Sequence, residues 1–205
     1  MIQIVEIVKV NQKKFKVKTD HKGIAFVVYK GDLLKYGFVK DAKIPKEYID
    51  RFYGEVLLPR AKRRGMYLLE AREYSVMLLA EKLRTDGYPE CVIAEVVEYL
   101  QKYRYLDDDR YTKAYIRTYA GGKSLKEIKR VLRTKGISEE HIESALKELQ
   151  QDELPDEKYL IERYLIKRKY NPKEASIQER NKMFQYLRSK GFDCDMIASF
   201  IKIEV

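Results

Sequence analysis

The sequence predicts a mainly α-helical protein with three tandem three-helix, helix-turn-helix-like repeats in an elongated arrangement, preceded by a small N-terminal antiparallel β meander. One element, a helix end followed by glycine and a second helix, recurs at 83–100, 132–149 and 187–204. The spacing between the copies is typical of helical repeats. Charged residues make up 36% of the 205 residues, and this share favours a modular body with much exposed surface.

The N-terminal region differs in composition from the rest of the chain. β-Branched and aromatic residues dominate three short segments, and the polar residues between them suit hairpin turns. These segments, IQIVEIVKV at 2–10, FKVKT at 15–19 and GIAFVVY at 23–29, predict a three-stranded antiparallel meander. Because such a sheet is marginal alone, the next segment GDLLKYGF, capped by Asp32 and ended at Gly37, is expected to pack on it.

Start and stop signals predict the helices that follow. Pro45 and Pro59 suit first helical positions, where the missing N–H costs no hydrogen bond, and Ser75 suits an N-cap. Ser124 and Glu127 have the spacing of a capping box. The other predicted starts are Asp107 or Asp108, Ser138, Pro155, and Asn171 with Pro172 for a long helix over 172–190. The predicted division is an N-terminal module over 1–56 and three-helix repeats over 57–106, 107–152 and 153–205.

A glycine follows the middle helix of every repeat. Gly87, Gly136 and Gly191 are predicted to adopt the left-handed conformation that ends a helix, in which any Cβ is strained. Apolar residues recur six, nine and ten positions after each glycine, which is the pattern of a buried helix face, and the first of them are Ile93, Ile142 and Ile197. Another glycine, Gly65, interrupts the predicted first helix where a helix-forming residue is expected, at a cost of about 1 kcal/mol relative to alanine.

The charge of the chain indicates a polyanionic partner. Lys and Arg total 42 against 32 Asp and Glu, which gives a net charge of +10 and favours single- or double-stranded nucleic acid bound without sequence specificity. The 2 cysteines lack metal-like spacing, and the sequence contains neither a signal peptide nor a membrane-spanning apolar run. We therefore expect a reduced, cytoplasmic, monomeric protein with no membrane partner.

Three helices with a glycine turn are also typical of a helix-turn-helix DNA-binding domain, in which the helix after the turn enters the major groove. Residues 138–149 carry four acidic groups and one lysine, so phosphates would repel this helix, whereas 123–135 carry six basic groups and one glutamate. DNA contact is therefore expected through the second repeat's middle helix and through a basic helix start in the first repeat, where positive charge opposes the helix dipole and favours a role. The predicted binding residues are Arg60, Lys62, Arg63, Arg64, Lys123, Lys126, Lys129, Arg130 and Arg133.

Catalytic chemistry has little support in the sequence. Neither His21 nor His141 has the partner pattern of a general base, a nucleophile or a metal ligand. The acidic run Asp107–Asp109 suits a helix N-terminus better than a divalent-metal site, and the glycine pair before Lys123 lacks the spacing of a phosphate-binding loop. The chain is predicted not to be an enzyme and to have no catalytic residue, metal or cofactor.

Three segments resemble the RecX family of bacterial recombination regulators: YLLEAREYS at 67–75, YLDDDRY at 105–111 and LRTKGISEE at 132–140. The resemblance is close over 57–150 and looser over 155–205, and the N-terminal part is similar to an extension found in some members. It implies tandem three-helix units and a protein that binds the RecA recombinase, generally in the groove of its filament on DNA. It further implies restraint of the ATPase, strand-exchange and coprotease activities of RecA, and several members also bind DNA.

The resemblance gives the basic residues a second possible surface, since they would face either phosphate or the acidic exterior of the filament. Two other functions stay open. A helix-turn-helix transcriptional regulator would require a defined operator and a dimer. A protein-only adaptor would bind RecA whether or not DNA is present, and its basic surface would be incidental.

Overall fold

A computed structural model of the chain describes residues 1–21 and 24–201. The chain forms two compact units, the first over Met1–Asp107 and the second beginning at Asp108. Position 23 of the predicted third strand and the last residues of the third repeated element lie outside the described residues. Within the described ranges, the helices are all too short or too polar to cross a lipid bilayer.

The first unit begins with an antiparallel sheet of four strands in the order β3-β2-β1-β4. Their bounds are β1 Ile2–Lys9, β2 Lys14–Thr19, β3 Ala25–Tyr29 and β4 Lys43–Ile44. The predicted meander is confirmed, and β4 is an addition that pairs with β1 where Ile2 faces Ile44. Two residues are too few to show the alternation from which strands are predicted.

A short helix, α1 (Lys30–Lys35), follows β3 directly. The prediction that Asp32 caps this helix is wrong, because the helix begins two residues before Asp32 and Tyr29 is its N-cap. The Asp32 carboxylate instead reaches back and accepts a hydrogen bond from the Tyr29 backbone N–H at 2.8 Å. Gly37 follows the helix end with a φ of +64°, in agreement with the predicted stop.

The next helix is continuous through the position at which the sequence predicts a helix start. It comprises α2 (Lys46–Phe52), a π-helical turn (Tyr53–Leu57) and α3 (Leu58–Ala71). The Leu58 N–H bonds to the Tyr53 carbonyl, and this wider turn accommodates Pro59, which has no N–H of its own. Pro59 therefore lies inside a helix, and Pro45 is the N-cap of α2 and not its first residue.

Two further helices, α4 (Val76–Thr85) and α5 (Glu90–Lys102), complete the first unit. Ser75 caps α4 as predicted, since its Oγ accepts a hydrogen bond from the Leu78 N–H at 3.2 Å. The sheet and the helices share one core, in which Phe26 from β3 lies in the same apolar cluster as Leu83 from α4. The predicted module boundary after residue 56 lies within the π-helical turn, and the division into modules stays a prediction.

Gly65 has a packing role that its helix position does not suggest. It is buried in α3, and a Cβ built there would lie 2.9 Å from Leu100 Cδ1 of α5. Leu100 is itself completely buried, so its side chain has little room to move aside. The close approach of α3 to α5 therefore explains why glycine occupies this position in spite of its low helix propensity.

The second unit consists of helices throughout its described part. They are α6 (Asp108–Tyr119), α7 (Leu125–Thr134), α8 (Glu139–Glu148), a 3₁₀ turn (Gln151–Glu153), α9 (Glu157–Lys167), α10 (Ile177–Ser189) and α11 (Cys194–Ile201). Ser124 and Ser138 are the N-caps of α7 and α8, as predicted. The predicted capping box of α7 is wrong in one half, because the Glu127 carboxylate binds the Arg130 guanidinium and not the backbone of Ser124.

The third repeat differs from the prediction at two helix starts. The long helix predicted over 172–190 begins only after Ser176, which forms a complete capping box with Glu179. A turn that contains Pro172 precedes it, so the extra length of this repeat is a loop insertion and not a longer helix. The preceding helix begins after Asp156, whose carboxylate caps it, and not at Pro155.

The glycine turns are confirmed in all three repeats. Gly87, Gly136 and Gly191 have φ values of +92°, +80° and +89°. A Cβ at Gly191 would also lie 2.6 Å from the Oγ of Ser124, which donates a hydrogen bond to the Lys190 carbonyl at 2.9 Å. The turn of the third repeat thus packs on the N-cap of α7 within the second unit.

Candidate nucleic-acid interface

The first group of predicted binding residues lies in the interior of a helix. Arg60, Lys62, Arg63 and Arg64 belong to α3, and the continuous helix that contains them begins at Lys46. The helix dipole acts within the first turn, so the predicted opposition between this cluster and a helix N-terminus is wrong. The cluster has a different setting, against carboxylates of neighbouring elements.

Arg60 is held by a partly buried ion pair. Its guanidinium makes two parallel contacts with the Asp32 carboxylate, Nη1 to Oδ2 at 2.6 Å and Nη2 to Oδ1 at 2.9 Å. The guanidinium carbon also lies 5.1 Å from the centre of the Tyr29 ring. Burial by itself raises the pKa of Asp32, but the bonds from Arg60 and the Tyr29 N–H outweigh it and hold this pKa below its usual value.

The other three members of the α3 group have different neighbours. Arg64 Nε contacts Asp86 Oδ2 at 2.7 Å, which joins α3 to the turn between α4 and α5. Lys62 Nζ lies 4.1 Å from the centre of the Tyr99 ring, within the range of a cation–π interaction. Arg63 is exposed, and the ion pairs among the described residues do not include it.

The arginines of α3 open onto a cleft in the first unit. The cleft has a volume of about 450 Å³ and lies between the sheet, α3 and the turn after α4. Its lining residues are Lys14, Tyr29, Arg60, Arg63, Arg64, Asp86 and Tyr88. Four cations and one carboxylate line it, so its walls carry an excess of positive charge.

The second group of predicted residues lies on α7 and is mostly paired with nearby acids. Arg130 makes a two-point contact with Glu127 on its own helix, with both distances 2.9 Å, and keeps the pKa of that carboxyl below its usual value. Lys129 contacts Glu143 at 2.6 Å, and Arg133 binds Glu139 through Nε at 2.7 Å and Nη2 at 2.9 Å. The acidic α8 thus partly neutralises the basic α7.

Two lysines of this group form no ion pair within 4 Å among the described residues. Lys126 is exposed on α7. Lys123 precedes the N-cap of α7, and its Nζ lies 4.9 Å from the centre of the Tyr119 ring. The second unit therefore presents these two ammonium groups, one of them next to an aromatic ring, for contact with an anion.

Three residues that line the cleft, Lys14, Tyr29 and Tyr88, are not among the predicted binding residues. Lys14 and Tyr29 face each other in the register of β2 and β3, and Tyr88 follows the turn glycine Gly87. Taken one at a time, each of these residues has a sequence context typical of an ordinary strand or turn. The signal that could have found them is long-range, because the Gly87 carbonyl accepts a hydrogen bond from the Val27 N–H of β3 at 3.1 Å and brings the turn to the sheet.

The histidine of the second unit has a local role. Ser138 Oγ lies 2.6 Å from His141 Nδ1, and His141 Nε2 lies 3.8 Å from Asp109. The same Oγ accepts the N–H of His141 as the N-cap of α8, so the serine is committed to helix capping. Within the described ranges, His, Cys, Asp and Glu side chains form no group of three or more that could hold a metal ion.

Two family models match separate parts of the chain. Residues 61–100 match the model described as RecX, first three-helix domain, and residues 107–146 match the one described as RecX, second three-helix domain. These ranges contain the basic residues of α3 from Lys62 onward and the whole of α7.

Curated relatives match almost the full length of this chain. The chain is 26% identical over 205 residues to the regulatory protein RecX of Clostridium perfringens strain SM101, and the match covers 98% of this chain and 94% of the relative. It is 28% identical over 192 residues to the regulatory protein RecX of Bacillus velezensis, covering 92% of this chain and 72% of the relative.

Solved structures support the fold. A crystal structure of a regulatory protein RecX superposes with a TM-score of 0.62 at 23% identity and covers 100% of both chains. That of RecX from Lactobacillus salivarius gives a TM-score of 0.56 at 24% identity and covers 71% of this chain and 94% of the other.

Proposed function

Because the chain belongs to the RecX family, we propose that it is a regulator that binds the RecA recombinase and its filaments on DNA and restrains ATP hydrolysis, strand exchange and coprotease activity. Auxiliary contact with DNA, without sequence specificity, comes from the basic residues of α3 and α7. The family supports the RecA part of this proposal. The charges of the two helices support the DNA part.

One observation supports the DNA contact: both units present cations that form no ion pair with a carboxylate of the described residues. They are Lys62 and Arg63 on α3, and Lys123 and Lys126 at α7. Such groups release condensed counterions when they meet phosphates, whereas an arginine in a two-point carboxylate pair must first give up that pair. These four residues are therefore the first to test.

Replacement of all four by alanine is expected to weaken binding to DNA. It should also flatten the dependence of log affinity on log salt by about 0.7 to 0.9 per lost phosphate contact. The matched control replaces Lys40, Arg51, Lys102 and Lys167, which are exposed and in no ion pair among the described residues. If both variants change the slope equally, net charge and not these positions governs binding.

Regulation is tested by adding the purified chain to RecA on single-stranded DNA and following ATP hydrolysis. The expected result is a lower steady-state rate. An unchanged rate at a several-fold excess of the chain over RecA would contradict the regulator proposal. A chain that lowers the rate but whose binding to RecA is insensitive to DNA and salt would be the protein-only adaptor.

Footprinting separates the proposal from a transcriptional regulator. Protection of one defined sequence would favour the helix-turn-helix transcriptional regulator. Uniform retardation of DNA of any sequence would favour the function proposed here. The acidic residues of α8, which follows the turn glycine, support the second outcome.

A further inference from the structure

The cleft of the first unit combines residues of the N-terminal sheet with residues of the helices that follow it. Lys14 and Tyr29 come from the sheet, Arg63 and its neighbours come from α3, and Tyr88 comes from the turn after α4. Positive charges that line one cleft repel each other unless a negative charge compensates them. The partners of these four cations are therefore informative.

Only part of the positive charge has an internal partner. Arg60 is paired with Asp32 and Arg64 with Asp86, and both carboxylates are largely covered. Of the described residues that line the cleft, Lys14 and Arg63 are in no ion pair. Two cationic groups therefore remain for an external anion.

The two internal ion pairs also fix the geometry of the cleft. The two-point contact with Asp32 and the Tyr29 ring restrict the Arg60 guanidinium, and Asp86 restricts that of Arg64. Restricted side chains lose less conformational freedom when a ligand binds. Their remaining N–H groups and the free Arg63 guanidinium suit the oxygen atoms of a phosphate, which arginine binds in a planar, two-point manner.

We propose that this cleft binds a phosphate ester, with Arg63 and Lys14 as the principal anion contacts and with the N-terminal sheet supplying one wall of the site. The cleft volume of about 450 Å³ exceeds that of a phosphate group and admits the attached sugar, next to the rings of Tyr29 and Tyr88. The ester comes either from the backbone of a polynucleotide or from a free nucleotide. This inference deepens the DNA contact of the proposed function and assigns a role to the N-terminal module.

The test uses the full chain without RecA and two probes, a fluorescein-labelled short oligothymidylate and thymidine 5′-monophosphate. Arg63→Ala is expected to weaken oligothymidylate binding about tenfold, as for the loss of charge-assisted hydrogen bonds. Lys14→Ala is expected to weaken it about threefold and to lower the salt slope by about 0.7, the value for one phosphate contact on a single strand. Neither change removes the partner of a carboxylate, so both variants should fold.

Matched controls exist for each variant. Arg51→Ala makes the same charge change in the same continuous helix, twelve residues before Arg63 and so about 18 Å away along the axis. Lys40→Ala does so beside β4, at the sheet edge opposite to β3. Both controls should keep wild-type affinity. Melting temperatures equal to that of the wild type confirm that the variants are folded.

The outcomes separate the two sources of phosphate. Loss of binding to oligothymidylate alone assigns the cleft to a polynucleotide backbone, whereas loss of binding to both probes assigns it to a single nucleotide. Arg63→Ala and Lys14→Ala that match their controls on both probes overturn the proposal. Because the assay contains no RecA, the cleft can pass this test even if the chain fails to restrain RecA, and it can fail while regulation holds.

Discussion

The basic side chains of α3 and α7 are similar in number but differ in what holds them. In α3, arginines reach carboxylates 22 and 28 residues away in the chain, and those carboxylates are largely buried. In α7, the partners lie 3, 6 and 14 residues away, and most of the paired groups are exposed. The ion pairs of α3 therefore join distant parts of the first unit, whereas those of α7 lie mostly along the surface of the second unit.

This difference separates two uses of positive charge. A buried carboxylate that loses its arginine is left without compensation, so the α3 pairs are expected to matter for folding. Exposed pairs contribute little to stability and are easily exchanged for contacts with another anion. The α3 region therefore resembles a preformed site, and the α7 region resembles an adaptable surface.

The largest expected effect comes from the contact that holds the turn of the first unit against its sheet. A Cβ at Gly87 would lie 2.7 Å from Val27 Cβ and closer still to Cγ2, and the φ of +92° disfavours any side chain. Gly87→Ala is expected to lower the free energy of unfolding by about 3 to 4 kcal/mol, from strain and overpacking together. Urea denaturation measures the change.

The matched control is Gly31→Ala, at the second position of α1, where a Cβ would meet nothing within 4 Å. It is expected to leave stability unchanged or raise it slightly, because alanine favours helix. A Gly87→Ala variant as stable as this control would show that the turn does not hold the sheet in place.

The second prediction compares one carboxylate from each unit. Asp32→Ala removes the partner of Arg60 and the acceptor of the Tyr29 N–H, and is expected to lower the free energy of unfolding by about 2 to 3 kcal/mol. Glu139→Ala removes the partner of the exposed Arg133 and is expected to be indistinguishable from the wild type in urea denaturation. Equal losses in the two variants would remove the distinction between site and surface.

Much of this fold follows from local signals in the sequence. The N-caps Ser75, Ser124 and Ser138, the three glycine turns and the isoleucine that follows each turn depend on neighbours within a few residues, and the sequence predicts them. Gly65 shows the limit, because its local cost is evident in the sequence but its reason, the approach of Leu100 from α5, is not.

The candidate site could be predicted only by residue type. The α3 arginines were selected from their clustering, but Pro59 was mistaken for a helix start because the sequence contains no signal for a π-helical turn. Lys14 was missed because its proximity to Arg63 depends on how the sheet packs against α3. Tertiary packing determines which cations are paired, and sequence periodicity does not encode it.

A third prediction concerns acid stability. Asp32 has a pKa below its usual value in the folded protein, so its contribution to stability is present above its unfolded pKa of about 3.9 and is lost as the pH falls towards the folded value. We expect the advantage of the wild type over Asp32→Asn to begin to fall below about pH 4, where Asp32 of the unfolded chain takes up a proton, and to be lost once the carboxylate of the folded protein is protonated as well. Urea midpoints of both proteins between neutral and acidic pH measure this.

In that experiment, Glu139→Gln serves as the comparison from the second unit. Arg133 also lowers the pKa of Glu139, but the pair is exposed, so its variant should follow the wild-type acid profile. An Asp32→Asn profile parallel to that of the wild type at every pH would contradict the assignment of this acid sensitivity to the Asp32–Arg60 pair.

The smallest expected effect concerns DNA affinity and tests whether α7 is an adaptable surface. In Glu139→Gln, the Arg133 guanidinium loses its two-point carboxylate partner and becomes available to phosphate. Oligothymidylate affinity is expected to rise about twofold to threefold at low salt, with most of the gain lost at high salt because exposed charges are screened. Glu95→Gln makes the same charge change on α5 of the first unit, where the glutamate is exposed and in no ion pair of the described residues. A gain in Glu139→Gln alone places α7 against the phosphates, whereas equal gains in both variants show that net charge is sufficient and that α7 has no special place in binding.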